Sequence, residues 1–123
     1  MCAVSVRAVR GAITVDADTA DAIRAATAEL LAEVLGRNDL VADDLISMIF
    51  TTTPDLRAEF PAVAAREIGL TGVPLLCASE IDVPGALGKC IRVLVHANVA
   101  DGVAVRHVYL RDARQLRADL SDD

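Results

Sequence analysis

Apolar and polar residues alternate over residues 3–13, "AVSVRAVRGAI", which predicts a first strand with Val4, Val6 and Ala8 on one face. Arg10 falls on that same apolar parity. The pattern then changes period. Asp18 is placed to cap a helix with Asp21 in its third position, and Ile23, Ala26, Leu30, Leu31, Val34 and Leu35 recur at helical spacing until "GRND". "LISMIFTTT" predicts a second strand, and the two prolines of "PDLRAEFP" break it before a short helix, "AVAAREIG", closed by Gly69. "VPLLCASE" predicts a third strand, "KCIRVLVHANV" a fourth and "VRHVYL" a last, with turn-rich "DVPGALG" and "ADG" between them. The order of strand, long helix, strand, short helix and three strands predicts an α+β fold: a mixed β-sheet with its helices packed mainly on one face.

The 123 residues fit a single domain, 1–123, with a polar tail expected to be loosely ordered after about residue 112. A domain of this size hides only about two-thirds of its unfolded surface, so a deep private pocket is hard to build. Apolar residues nevertheless make up 54% of the chain, with Tyr109, Phe50 and Phe60 as its only aromatics. Such an excess of apolar surface in a small chain suggests contacts between subunits. The net charge of -6, without a block of basic residues or an aromatic platform, argues against nucleic-acid binding. No apolar run reaches the roughly 18 residues of a membrane span, and "MCAVSVRAVRG" has no signal-peptide pattern, so a cytoplasmic protein without a membrane partner is expected. Cys2, Cys77 and Cys90 are odd in number and lack CxxC spacing, which favours reduced thiols over a disulfide framework.

Charge inside the predicted strands raises the question of chemistry. Arg92 interrupts the apolar run of "KCIRVLVHANV", Glu80 ends "VPLLCASE", and Arg10 lies in the first strand. An exposed sheet face would account for strand arginines without any ligand, and solvent is the ordinary environment for Arg66 and Arg117. The alternative is convergence on one cleft. Cys77 has no nearby histidine to act as base, and His96 and His107 match no zinc spacing with Cys90 or Cys77, so neither a thiolate nucleophile nor a metal site is expected. "RGAIT" lacks the spaced glycines of a phosphate loop. Arginines, one carboxylate, one tyrosine and one thiol suit an anionic polar molecule, with no obvious nucleophile or proton relay.

Four stretches, "VRGAITV", "TTTPDLRAEFPAVAARE", "VPLLCASEIDVPGALGKCIRV" and "RHVYLRDARQLRADL", together resemble the AroH class of monofunctional chorismate mutases over nearly the whole chain. The resemblance implies a homotrimeric pseudo α/β barrel with active sites between subunits. It also implies the cofactor-free [3,3] rearrangement of chorismate to prephenate in phenylalanine and tyrosine biosynthesis. At matching positions, Arg92 is expected to donate to the ether oxygen of chorismate, Glu80 and Cys77 to face the ring hydroxyl, and Arg10 and Tyr109 to hold a carboxylate. Phe60, Arg66, Leu116 and Arg117 match positions that line the pocket or its mouth. Val63 stands where some relatives carry lysine, Leu76 where some carry threonine, and Ala118 where proline is common in the tail. Two other functions compete with this one: a trimeric enamine or imine deaminase, which needs a positioned water, and a non-enzymatic trimeric binding module for an anionic metabolite.

Overall fold

The computed structural model describes residues 3–116. Along the chain it has β1 (Val4–Thr14), α1 (Ala20–Arg37), β2 (Leu45–Thr52), α2 (Ala62–Glu67), β3 (Leu75–Ser79), β4 (Cys90–Ala100) and β5 (Val108–Leu110). The strands form one mixed sheet in the spatial order β3-β2-β4-β1-β5. β4 runs antiparallel to both β1 and β2, while β1 with β5 and β2 with β3 are parallel pairs. The α+β class is as expected. Among the described residues, no helix is long and apolar enough to cross a membrane.

One face of the sheet packs against both helices. Ile23, Leu30, Leu31 and Val34 of α1 and Ala62 and Ala65 of α2 share a core with Val9, Ile13, Phe50, Ile91, Val93 and Val95. The helix approaches β1 closely at Gly11, where a Cβ would lie 2.9 Å from Val34 Cγ2 and 3.1 Å from both Leu30 Cδ1 and Val93 Cγ1. A larger residue there would push the helix off the sheet. Thr27, fully buried in α1, satisfies its hydroxyl by donating to the Ile23 carbonyl at 2.7 Å.

This packing decides which face of the first strand is covered. Val9, Gly11 and Ile13 face the core, whereas Val4 and Val6 on the opposite parity are 58% and 61% exposed. Both faces of β1 are apolar, so alternation alone could not tell which one the helices would cover. Arg10 and Arg92 consequently lie on the helix-free face. The cap of α1 also shifts by one residue: Thr19 accepts from the Ala22 N–H at 3.1 Å. Asp18 instead accepts from the backbone N–H groups of Arg57 and Ala58, at 2.8 and 2.9 Å, and ties the 53–61 loop to the start of the helix.

The last strand is shorter than "VRHVYL" predicts, because side chains take over its pairing. Asn38 donates to the Arg106 carbonyl at 2.9 Å and accepts the Arg106 N–H at 2.7 Å, as a neighbouring strand would. His107 Nδ1 accepts the Arg10 N–H at 3.0 Å, so regular pairing with β1 begins only at Val108. After β5 the chain makes a 3-10 turn over Arg111–Gln115, and Leu116 packs on a small second cluster of Ala12, Cys90, Tyr109 and Ala113. The remainder of the tail, with Arg117 and Ala118, lies outside the described residues.

Candidate active site

Strand register lines up the candidate residues on the helix-free face. Ala78 of β3 is opposite Thr51 of β2, Thr51 is opposite Arg92 of β4, Arg92 is opposite Ala12 of β1, and Ala12 is opposite Tyr109 of β5. Residues facing one another across neighbouring strands point to the same side, so this row runs straight across the sheet. Glu80 follows β3, with its N–H bonded to the Thr52 carbonyl at 2.9 Å. Arg10 stands one step along β1, opposite Leu94. A row of small side chains between charged ones leaves a floor, and at its centre Ala12 separates Arg92 from Tyr109.

Above the row is an open cleft of about 580 Å³ lined by Arg10, Ala12, Thr51, Glu80, Arg92 and Tyr109, with Ile49, Ile81, Val83 and Leu94 among its apolar walls. That volume is within the usual range for small-molecule sites. Arg92 Nε lies 3.3 Å from Glu80 Oε2, with the two side chains 34% and 17% exposed. The pair is close, yet among the described residues Arg92 Nε is buried without a hydrogen-bond partner, since the 3.3 Å contact lacks hydrogen-bond geometry. Glu80 Oε2 takes its in-line bond from the Thr51 hydroxyl at 2.7 Å. Among the described residues, two guanidiniums against one carboxylate give the cleft an excess of positive charge in a chain whose net charge is -6. Among the described residues, its lining contains no cysteine, histidine or lysine.

Cys90, beside this cleft in sequence and packed with Tyr109, is not part of the lining. Burial pushes its thiol up to about 11, a rise that the nearby Arg92 charge only partly opposes. A thiol held neutral in this way is a packing group. In an adjoining cavity that Glu80 and Arg92 also line, Asp55 accepts from the Thr53 hydroxyl at 2.6 Å and from the Lys89 N–H at 3.0 and 2.9 Å. The Thr53 bond, joined by the Lys89 contacts, holds the Asp55 carboxyl below its ordinary value despite some opposing desolvation. Thr53 and Asp55 thereby fasten the 80–89 loop to the end of β2. A larger residue at Gly88 would have to displace this carboxylate, since a Cβ there would come within 2.7 Å of Asp55 Oδ2.

Not every predicted site residue meets the others within one chain. Cys77 pairs with Phe50 and packs against the main core, so its side chain is on the opposite face from Arg92. It lines a second groove of about 320 Å³ together with Phe60, which is 65% exposed. Arg66 is exposed on α2 and lines neither cavity. Leu116 reaches the Tyr109 side through the second cluster, and Arg117 lies outside the described residues. Thr51 was not distinguishable in sequence from its neighbours in "TTT"; only the register singles it out.

Comparison with known proteins bears directly on this site. The sequence profile of the family described as chorismate mutase type I matches residues 6–120. A chorismate mutase AroH from Thermus thermophilus is 52% identical over 94% of this chain and 96% of its own length. The chorismate mutase AroH of Bacillus subtilis (strain 168) is 44% identical, over 94% of this chain and 93% of its own. Among solved structures, a chorismate mutase from Clostridium thermocellum superposes with a TM-score of 0.85 at 51% identity, covering 89% of this chain and 98% of that one.

Proposed function

The chain belongs to the chorismate mutase type I family and is an isomerase that converts chorismate to prephenate; from that premise we propose that the reaction takes place above the Thr51–Arg92–Ala12–Tyr109 row. The reaction breaks a carbon–oxygen bond while forming a carbon–carbon bond, and it adds no group. No nucleophile is required. In the transition state the ether oxygen gains negative charge and the ring gains positive charge. Groups that meet those charges more strongly than they meet substrate lower the barrier.

Arg92 is the donor to the ether oxygen, and the observation that carries this role is its buried Nε, which among the described residues lacks a hydrogen-bond partner beside Glu80. An unmet donor fixed by a strand costs little reorganisation when charge develops next to it. Glu80 faces the ring hydroxyl and complements the positive side. Arg10 and Tyr109 hold a carboxylate and select the folded conformer that brings the reacting carbons together. A rate gain on the order of a millionfold asks about 8 kcal/mol of these groups combined.

The site is shared between copies in a homotrimer. Two observations support this: the helix-free face exposes Val4, Val6 and Leu76, and the groove of Phe60 and Cys77 is separate from the Arg92 cleft. Juxtaposed across an interface, the Phe60 and Cys77 groove of one copy closes the cleft of the next, Cys77 joins Glu80 at the ring hydroxyl, and Arg66, Leu116 and Arg117 flank the mouth. No observation favours a deaminase, whose chemistry must move protons, or an inert binding module. The test is to mix the protein with chorismate and follow the loss of its absorbance while sedimentation reports mass. Consumption of chorismate by a trimer is expected; a fully active monomer would refute the shared site, and an inert trimer would refute the catalytic assignment.

A further inference from the structure

Thr51 is the group in the cleft whose contact the roles above do not use. It is half-buried near the C-terminal end of β2, directly opposite Arg92 on one side and Ala78 on the other. Ala78 offers only a methyl group. The Thr51 hydroxyl therefore reaches past it to Glu80 and donates to Oε2 at 2.7 Å, the same oxygen that lies 3.3 Å from Arg92 Nε.

We infer that Thr51 is a positioning residue for the rearrangement, holding the Glu80 carboxylate beside Arg92 without letting the two close into a forked ion pair. This rests on the assignment of the cleft as the chorismate site. A carboxylate next to a guanidinium ordinarily turns to accept two parallel N–H bonds. That arrangement would neutralise Arg92 and occupy the donors the ether oxygen needs. Here one oxygen is held by a neutral hydroxyl, and among the described residues Arg92 Nε stays without a hydrogen-bond partner. Threonine suits the task because its branched Cβ restricts χ1, and it adds no charge to the cleft. With Oε2 fixed, Oε1 is the oxygen left to meet the ring hydroxyl.

The experiment compares Thr51→Val, Thr51→Ala and Thr51→Ser in the full-length protein, with circular dichroism and sedimentation as controls. Loss of a hydrogen bond to a charged group predicts a fall in kcat of about tenfold to a hundredfold for Thr51→Val and Thr51→Ala, with KM moving less than about threefold. Thr51→Ser should return kcat to within about threefold of the parent. In a Glu80→Gln background, Thr51→Val should cost less than about threefold, because the carboxylate it positions is gone. Normal kcat in Thr51→Val or Thr51→Ala, an equal loss in the Glu80→Gln background, or no recovery with serine would each overturn the role. If the valine variant does not fold, the alanine and serine variants carry the same comparison. A parent protein that leaves chorismate untouched would instead overturn the assignment of the cleft.

Discussion

The two faces of the sheet are made by the same strands and do opposite work. On β4, Ile91, Val93 and Val95 are buried against the helices, while Arg92 and Leu94 between them line the cleft. On β1 the division is the same, with Val9, Gly11 and Ile13 toward α1 and Arg10 and Ala12 toward the cleft. The period of two lets one strand carry a core and a site at once. Its consequence is that a substitution on one face should affect stability and on the other chemistry, with little exchange between them.

The largest effect on the covered face is expected from Leu30→Ala. Leu30 is fully buried in α1 and sits near Gly11, so its loss leaves a cavity between helix and sheet. Urea unfolding should show a loss of about 2–5 kcal/mol, while kcat per folded molecule stays within about threefold. A large fall in kcat at unchanged stability would show that the faces are not separable.

A smaller effect is expected at Asp55, in the loop that joins the end of β2 to the start of β4 through Thr53 and Lys89. Its folded-state carboxyl is held low, so the stability it contributes is present above the unfolded value and lost as pH falls through the folded one. Wild type should therefore unfold less readily than Asp55→Asn at neutral pH and lose that advantage as the pH drops below about 4, as followed by thermal melts. An advantage that persists or grows in acid would mean that the Thr53 and Lys89 contacts do not depend on the charge.

Period and punctuation made most of the elements legible in the sequence. Ile23 to Leu35 read as an amphipathic helix, and the prolines of "PDLRAEFP" ended β2 within about one residue of Thr52, where the structure ends it. Which face of β1 the helices cover was not legible, because Val4 and Val6 are as apolar as Val9 and Ile13. The early pairing of "VRH" was replaced by hydrogen bonds of Arg106 with Asn38 and of His107 with the Arg10 N–H, partners remote in sequence that no local pattern encodes. At the site, Arg10, Glu80, Arg92 and Tyr109 stood out as polar groups in or beside strands, and they do line one cleft. Thr51 did not stand out, since its importance comes from facing Arg92 across the sheet rather than from its own neighbours.

The central claim is that the helix-free face performs the reaction by fixed charge, with Arg92 at the developing oxyanion. Single-turnover conversion of chorismate by Arg92→Lys, measured on protein shown to be folded and assembled like the parent, tests it most directly. Lysine keeps the charge but loses the planar fork and the side-on Nε donor. The chemical step should slow by about a hundredfold or more, with the unfolding midpoint close to that of the parent. A near-normal single-turnover rate in the folded variant would contradict the account.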